Sequence, residues 1–309
     1  MEHRKFNKLI AELVDELTAA QAEKLIEALR ECGDGDDVHK LIEKRFADNL
    51  KCPHCGADHV QRWGKEHGLQ RYKCMRCGRT FNALTGTPLA RLRKKERWLT
   101  FAQSLGASHS VRKAARLAQV NKNTSFLWRH RFLRSQNRSK DQSLVGITEV
   151  DETFLLESFK GQRNLPRPPR KRGGKARTPG LSKEQIPILI ARDRFGHHVD
   201  AVLPDCSEQA VGSILQDKLS PDDVLLCMDG DPALIAFAEN RQLEYELIIA
   251  SKREHVHEKV LHTQNVNGYA SRFKQWLARF NGVATKYLPS YLGWWRELEA
   301  GLMPLTAAL

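Results

Sequence analysis

The sequence of 309 residues contains no run of about 18 apolar residues, the length that a membrane-spanning helix requires. Its N-terminal stretch, MEHRKFNKLIAELVDEL, also lacks the apolar centre of a secretory signal. These two absences predict a protein without a membrane partner that stays in the cytoplasm. Because 41% of the residues are hydrophobic, the chain can bury a real core and is expected to form two or more domains.

Acidic residues are scarce in one part of the chain. Residues 51–143 contain 21 Lys or Arg but only 4 acids, whereas residues 144–309 contain 21 residues of each sign. The first 50 residues have a net charge of −4. The basic character therefore belongs to a middle segment, which is typical of a module that binds a polyanion. The alternative is a solvated basic surface without a partner.

Residues 1–48 have the apolar spacing of helices, with hydrophobic side chains at steps of three and four residues. The first of these side chains are Phe6, Leu9, Ile10 and Leu13. We interpret the segment as a helical element for packing or dimerisation, without chemistry of its own.

Residues 49–90 contain two Cys-x-x-Cys pairs with eighteen residues between them. Each pair can direct two thiolates at one point, so the two pairs together predict a tetrahedral zinc site in a zinc ribbon. The predicted ligands are Cys52, Cys55, Cys74 and Cys77. A shell of four protein ligands has no open position, and the zinc is therefore expected to be structural. Disulfides are the alternative, disfavoured in a cytoplasmic chain.

Residues 91–140 are predicted to form a helix-turn-helix DNA-binding domain. Apolar spacing indicates a short first helix at 111–117, and either Asn121 or Asn123 can cap a second helix. The inward face of the second helix is predicted to carry Phe126, Leu127 and Phe132. The side chains expected to remain available for DNA groove and phosphate contacts are Lys122, Thr124, Ser125, Arg129 and Arg131. Any amphipathic helix pair gives a similar pattern and is the alternative.

From residue 144 to residue 300 the sequence changes to short apolar runs separated by turns. Three predicted strands are followed by alternating helices and strands, which is the order of an RNase H-like α/β domain. The predicted strands are 145–157, 185–193, 197–204, 223–229 and 245–250. The predicted helices are 208–218, 232–240 and 265–280.

Residues 159–183 interrupt this order with nine Lys or Arg and no acid. Since the segment is rich in Pro and Gly, it is predicted to be a mobile loop that becomes ordered on phosphate. Its cations Arg170, Lys171 and Arg172 are expected to add affinity for nucleic acid without selecting a sequence.

Two carboxylates are expected to meet in the predicted sheet. Strand alternation places Asp151 on a polar face of the first strand with Glu149, and Asp229 ends the fourth strand. The first and fourth strands of an RNase H-like sheet are neighbours, so these two residues can converge. Adjacent carboxylates repel each other unless a cation lies between them, and Mg²⁺ prefers oxygen ligands. Two such ions about 4 Å apart can promote in-line phosphoryl displacement.

The zinc ribbon, the helix pair and the motifs EVDETF, MDGDP and HTQNVNGYASRFKQWL, in this order, resemble the ISXO-like DDE transposases of bacterial insertion sequences, related to the Merlin superfamily. The resemblance extends over residues 50–290. It implies that Asp151 and Asp229 are the first two catalytic ligands of Mg²⁺ or Mn²⁺. It also implies that Asn267 is the third ligand, with Lys274 seven residues later and His262 at a position that the family commonly fills with His.

The third ligand has alternatives. Seven residues are about two helical turns, so Asn267 and Lys274 are expected to share one helix face. Because Asn offers an oxygen but no charge, Glu254 and Glu258 stay open as rival ligands. Asp231, which precedes a proline, is interpreted as a helix cap. The other candidates are given no chemistry: His255 and His257 are expected to be exposed, and Cys206 and Cys227 to be buried.

The sequence therefore predicts an insertion-sequence transposase that binds terminal inverted repeats, cleaves DNA and transfers the freed strand to target DNA. Its expected partners are double-stranded DNA and further copies of itself, as a dimer or a larger synaptic complex associated with the nucleoid. No arrangement of Ser or Tyr suggests a covalent protein intermediate. Two alternatives stay open: a DNA-binding regulator or decayed transposase without catalysis, and a structure-selective nuclease of the RNase H type.

Overall fold

The computed structural model describes residues 18, 38–44, 46, 50–134, 143–171, 173–178, 182–248 and 260–301. The helical segment predicted at 1–48 lies largely outside these residues, although 38–44 and 46 are helical. The described chain separates into two compact units between Phe132 and Leu133. In this described part, no helix is long and apolar enough to span a membrane.

The first unit begins with an antiparallel sheet of three strands, β1 (Val60–Glu66), β2 (Leu69–Cys74) and β3 (Thr80–Asn82). Its core is a small aromatic cluster in which the ring centroids of Phe46, Tyr72 and Phe81 lie 5.7 to 5.8 Å apart. Cys52 and Cys74 are buried in the same cluster. Since so few apolar groups are buried here, a metal that joins the cysteines would supply much of the folding free energy of this module.

Three helices follow, α1 (Trp98–Gly106), α2 (Val111–Leu117) and α3 (Lys122–Phe132). They share an aromatic core in which the Phe101 ring lies 5.3 Å from the rings of both Trp128 and Phe132. The side chain of Asn121 accepts the backbone N–H of Asn123 at 2.8 Å and so caps α3. The two helices predicted between residues 110 and 133 are therefore present.

The prediction of which α3 side chains point inward is wrong at two of its three positions. Phe126 and Leu127 are 44% and 49% exposed, although Phe132 is buried as expected. The buried positions of α3 are Ser125, Trp128, Arg129 and Phe132. They follow the same three- and four-residue spacing, but the sequence pattern counted only apolar residue types and so missed a buried face that contains Ser and Arg.

Two predicted DNA-contact residues are consequently unavailable at the surface. The Ser125 hydroxyl donates to the carbonyl oxygen of Val111 at 2.9 Å. Arg129, which is 1% exposed, donates a guanidinium N–H to the carbonyl oxygen of His109 at 2.5 Å. Because both side chains are used inside the unit, the prediction that they are available to DNA is wrong.

The second unit is built on five strands, β4 (Gly146–Leu156), β5 (Gln185–Asp193), β6 (His198–Val202), β7 (Val224–Met228) and β8 (Glu244–Leu247). Its helices are α4 (Glu208–Leu215), α5 (Pro232–Asn240), α6 (Gln264–Ala278) and α7 (Leu288–Glu299). The strand order in the mixed sheet is β6-β5-β4-β7-β8, in which β4, β5 and β6 are antiparallel and β4, β7 and β8 are parallel. The predicted α/β class is confirmed, and the first and fourth strands of this sheet are neighbours as expected.

The central strand β4 is buried between two layers of helices. Val150 and Met228 belong to the apolar cluster that contains the inner faces of α4 and α5. On the other side α6 contacts β4 and β5, with Tyr269 and Phe273 fully buried. Alternate side chains of β4 therefore point to opposite layers, and the acids of this strand are divided between them.

Candidate functional site

The four cysteines of the ribbon converge on one point. The sulfur atoms of Cys52 and Cys77 are 3.7 Å apart and those of Cys55 and Cys74 are 3.6 Å apart. All four lie within 4.8 Å of one another, the only such group of three or more His, Cys, Asp or Glu side chains in the described residues. Zn–S bonds of about 2.3 Å in a tetrahedron separate the sulfurs by about 3.8 Å, so the arrangement fits zinc. The alternative of disulfides is not observed, since all four are free thiols.

Both cysteine pairs are carried by the same kind of turn. The N–H of Gly56 donates to the carbonyl of Cys52 and that of Gly78 to the carbonyl of Cys74, each at 2.9 Å. Both glycines have positive φ angles, 74° and 71°, which a residue with a Cβ adopts only at a cost. The N–H of Cys77 points at the Cys74 sulfur and is the main cause that lowers the pKa of Cys74 to about 7. The thiolate form of Cys74, the form that binds a metal, is thereby favoured, whereas the pKa of Cys55 is raised to about 11.

The remaining predicted DNA-contact residues of α3 differ in exposure. Lys122 is exposed, whereas Thr124 and Arg131 are half-buried. Arg131 also donates to the carbonyl oxygen of Pro88 at 3.2 Å. Among the predicted contacts on α3, Lys122 is thus the one with an exposed side chain.

Asp151 and Asp229 are brought together by the sheet. β4 and β7 run parallel, and their last registered pair is Glu149 with Cys227. Two residues further along each chain stand Asp151 and Asp229, at the carboxyl end of β7. The N–H of Asp231 donates to Oδ1 of Asp229 at 3.3 Å and fixes the turn that follows this strand.

Lys274, on α6, interacts electrostatically with Asp151. Burial first, and then the charge of Asp229, raise the pKa of Asp151 to about 6, while the Lys274 ammonium acts in the opposite direction. The pKa of Lys274 is lowered by burial, and the charge of Asp151 opposes that change. A lysine and two carboxylates therefore share one electrostatic environment.

A further carboxylate, Glu152, was missed by the sequence analysis. It lies on the β4 face of Val150, and burial and then the charge of Asp231 raise its pKa to about 8. Its Oε1 atom is buried and has no hydrogen-bond partner among the described residues. The available signal was an acid at an alternate position otherwise occupied by apolar residues, which a period-two pattern treats as an exception.

Asp231 is a helix cap, as predicted. Its Oδ1 atom accepts the backbone N–H groups of Ala233 at 2.8 Å and of Leu234 at 3.4 Å, in the first turn of α5. Pro232 occupies the first helical position, where a missing N–H is harmless. The carboxylate still contributes to the pKa values of Asp151 and Glu152, because it lies at the same end of the sheet.

Asn267 lies in the second turn of α6 and is exposed. Its amide nitrogen donates to the hydroxyl oxygen of Thr263 at 3.3 Å, a contact that does not use the amide oxygen. Asn267 and Lys274 are both in α6 and share one helix face, as the spacing predicts. The rival ligands Glu254 and Glu258, and also His255 and His257, lie outside the described residues.

His262 lies in a network that does not include Asp151 or Asp229. Its ring nitrogen Nδ1 is 3.2 Å from Oε1 of the buried Glu149. The guanidinium of Arg194 is 3.1 Å from Nε2 of the same ring. The structure thus connects His262 to the start of α6 and to β4.

Some cations of the basic loop at 159–183 are paired with oxygen atoms of the protein itself. Arg170 is 3.0 Å from a carboxylate oxygen of Glu184 and donates to the carbonyl of Glu157 at 2.7 Å. Lys160 donates to three carbonyl oxygens just after α6, those of Phe280, Asn281 and Gly282, at 2.7 to 3.0 Å. Lys171 is exposed, and Arg172 lies outside the described residues. Besides Lys160, the exposed cations among the described residues of the loop are Arg163, Lys171, Lys175, Arg177 and Lys183.

The two cysteines outside the ribbon differ in burial. Cys227 is fully buried beside Ile248 and Leu261, as predicted for an apolar filler. Cys206 is half-buried, so it is less enclosed than expected.

The chain matches known proteins in sequence. A family described as the ISXO2-like transposase domain matches residues 143–296. An uncharacterized protein in transposable element ISH50 of Halobacterium salinarum is 28% identical over 257 residues, which are 82% of this chain and 86% of that protein.

Two crystal structures show only weak similarity. A pre-cleavage Mos1 transpososome is 13% identical with a TM-score of 0.21, over 86% of this chain and 82% of that one. The Mos1 mariner paired end complex with Mn is 14% identical with a TM-score of 0.20, over 97% of both chains. The family match covers β4, β7 and α6, the elements that hold the acids and Lys274, and the chain therefore belongs to the ISXO-like transposases.

Proposed function

We propose that this protein is a DDE-type insertion-sequence transposase, which nicks DNA at the ends of its element and joins the freed 3′-hydroxyl to target DNA. The observation that carries the proposal is the meeting of Asp151, Asp229 and Lys274 at one end of the sheet. The strand order β6-β5-β4-β7-β8, with three antiparallel strands followed by two parallel ones, supports an RNase H-like classification of the second unit.

The acids fit a divalent cation. Burial first, and then the charge of Asp229, raise the pKa of Asp151, and a cation bound between the two carboxylates would oppose both effects. Oxygen ligands of this kind suit Mg²⁺ or Mn²⁺. We propose Asp151, Asp229 and Asn267 as the residues that hold the metal. When bound, such ions activate the attacking oxygen and stabilise the leaving oxygen of an in-line phosphoryl displacement.

Lys274 is proposed to position the DNA phosphate. Its ammonium lies close enough to influence the pKa of Asp151, so a phosphate oxygen bound to Lys274 would be held beside the acids. Positioning and charge compensation of this kind supply most of the rate enhancement in phosphoryl transfer. Lys274 would therefore reduce the negative field that the acids present to an approaching phosphate.

DNA recognition is proposed for the first unit. The four-Cys cluster suits a structural zinc that holds the ribbon, and the α2 and α3 pair would act as a helix-turn-helix. Lys122, Thr124 and Arg131 are the proposed contacts to the terminal inverted repeats. Because two element ends must be joined, the active form is proposed to be a dimer or a larger synaptic complex.

A DNA-binding protein without catalysis is the second candidate. It is favoured by one observation, that the exposed residue proposed as third ligand, Asn267, is neutral and is bound to Thr263. Sequencing of the DNA that flanks the gene would supply the inverted repeats for a labelled oligonucleotide. Mg²⁺-dependent nicking and strand-transfer products on that oligonucleotide support the transposase, whereas specific binding without either product supports the second candidate.

A further inference from the structure

A buried glutamate lies two residues before Asp151 on the same face of β4. Glu149 is 0% exposed, and each of its carboxylate oxygens is contacted from outside the strand. Oε2 accepts the backbone N–H groups of Asn265 at 2.7 Å and Val266 at 3.1 Å. Oε1 accepts the Asn265 side-chain amide at 2.8 Å and lies 2.5 Å from the guanidinium of Arg194. A carboxylate so fully buried is tolerable only because it is hydrogen-bonded in this way.

These contacts make Glu149 the cap of α6. The side chain of Thr263, the residue at the usual capping position, accepts no backbone N–H of the helix. Two N–H groups of the first turn, those of Asn265 and Val266, instead donate to a carboxylate on the central strand, which also complements the positive end of the helix dipole. The N-terminus of α6 is therefore fixed to β4 and not only to its own preceding segment.

Arg194 connects Glu149 to the segment that precedes α6. Its guanidinium donates to the carbonyl oxygen of Val260 at 2.9 Å and contacts the His262 ring, while the same group pairs with Glu149. The segment that leads into α6 is thereby fixed to the end of β5. The middle of α6 has a separate anchor, because Tyr269 donates its hydroxyl to the buried Asp200 on β6 at 2.5 Å.

We infer that Glu149 is a positioning residue for the reaction proposed above: by capping α6 from β4 it holds Lys274 and Asn267 in place beside Asp151 and Asp229. The inference rests on the proposed function. Glu149 and Asp151 share one strand, and Asn265 and Lys274 share one helix, so the contact of Glu149 with Asn265, together with the Tyr269 anchor, determines how far Lys274 lies from Asp151. The rest of the helix is held by Tyr269, so loss of the cap should shift α6 without unfolding the unit.

The test compares Glu149→Gln with a variant of similar instability elsewhere. Gln keeps the shape of the side chain but places an N–H group, which cannot accept, against the donors of α6 or Arg194. Val211→Ala, on α4 and across the sheet, removes a fully buried group without touching α6 and serves as the stability control. Glu149→Gln is expected to lower kcat for nicking roughly 10- to 100-fold, since small misplacements in a site cost this much. KM for the DNA and the affinity for element ends should stay unchanged in both variants.

A double-mutant cycle with Lys274→Ala separates positioning from general stability. If Glu149 acts through the placement of Lys274, the loss caused by Lys274→Ala should be much smaller in the Glu149→Gln background than in the wild type. Equal losses in both backgrounds, or a wild-type kcat in Glu149→Gln, would overturn the inference while leaving the proposed transposase intact.

Hydrogen exchange gives a measurement that does not depend on activity. Peptides that cover residues 262–276 should exchange faster in Glu149→Gln, and those that cover residues 208–215 should not. Unchanged exchange in 262–276 overturns the capping role. A wild-type protein that does not nick element ends overturns the proposed function and with it the catalytic purpose of Glu149.

Discussion

Asp229 lies beside Asp151 because the parallel ladder of β7 and β4 continues past its last pair and carries both residues to the same end of the sheet. Neither carboxylate has to be brought in by a flexible side chain or a long loop. The pair is therefore set by backbone pairing, and its chemistry can be tested by changes that leave the backbone unaltered.

Asp229→Asn should remove nicking while the affinity for element ends stays at the wild-type level. The change keeps the size of the side chain and removes the charge that would hold the metal. We expect a loss of at least about a hundredfold, since even residues that only support metal ligands cost 10 to 100-fold. Asp222→Asn makes the same change on an exposed residue before β7 and should leave the rate unaltered. Full activity in Asp229→Asn would falsify the proposed metal site.

Asn267→Asp should lower the Mg²⁺ concentration needed for half-maximal nicking, because it adds a negative charge beside the other two ligands. Asn267→Ala should lower the rate by removing an oxygen ligand. Gln275→Ala, an exposed position on the same helix, is the control. A wild-type rate and Mg²⁺ dependence in Asn267→Ala would move the third ligand elsewhere, and Glu254 and Glu258 would be the next residues to replace.

Mg²⁺ binding should weaken as the pH falls below about 6, the value to which burial and Asp229 raise the pKa of Asp151. A protonated Asp151 cannot bind the cation, so the apparent affinity should fall up to about tenfold per pH unit. Isothermal titration of Mg²⁺ into the protein at several pH values measures this. Affinity that is constant between pH 7 and pH 5 contradicts the assignment.

The raised pKa of Asp151 also makes the stability of the metal-free protein depend on pH. The pKa of Asp151 is higher in the folded state than its ordinary value of 3.8, so the folded state binds more protons than the unfolded state between these values. The free energy of unfolding therefore decreases as the pH rises from about 4 to about 6, because Asp151 loses its proton in the folded state over this range. Denaturation of Asp151→Asn should lack this pH-dependent component.

Cys52→Ser should release zinc and abolish specific binding to element ends. Loss of one thiolate from a module with so small an apolar core removes much of its folding free energy. Cys206→Ser, outside the ribbon, should keep both zinc and affinity. A Cys52→Ser protein that retains one zinc per chain and wild-type affinity would show that the four cysteines are not the metal site.

Neutralising Lys171, Lys175 and Arg177 together should flatten the slope of log affinity against log salt by up to about three units. These cations are exposed, so each can release counterions from a DNA phosphate. Arg170→Gln should change the slope less, because its guanidinium is bound to Glu184. An unchanged slope in the triple variant, or an altered base preference, contradicts a role in sequence-independent affinity.

The strands and the two acids could be predicted because they depend on local pattern. A run such as VLLCMD, bounded by turns, predicts both a buried strand and the place where Asp229 leaves it. The Asp231 cap is equally local, since it needs only the following proline. Ser125 and Arg129 were mispredicted because their partners, the carbonyls of Val111 and His109, come from another helix and its preceding turn. Glu149 could be placed on the correct face of β4, but its partners lie 116 and 117 residues away and have no local signal.

The two ends of the basic loop are held together by backbone hydrogen bonds where the loop leaves the sheet. The ladder of β4 and β5 ends at the pair Leu156 and Gln185, and the N–H of Glu157 still donates to the carbonyl of Glu184 at 2.8 Å. The two ends of the loop therefore emerge side by side from a hairpin whose register is set by the backbone pairing of β4 and β5. We therefore expect that a change in the length or charge of this segment, or a reporter peptide inserted after Lys160, leaves the register of β4, the strand that carries Asp151, unchanged.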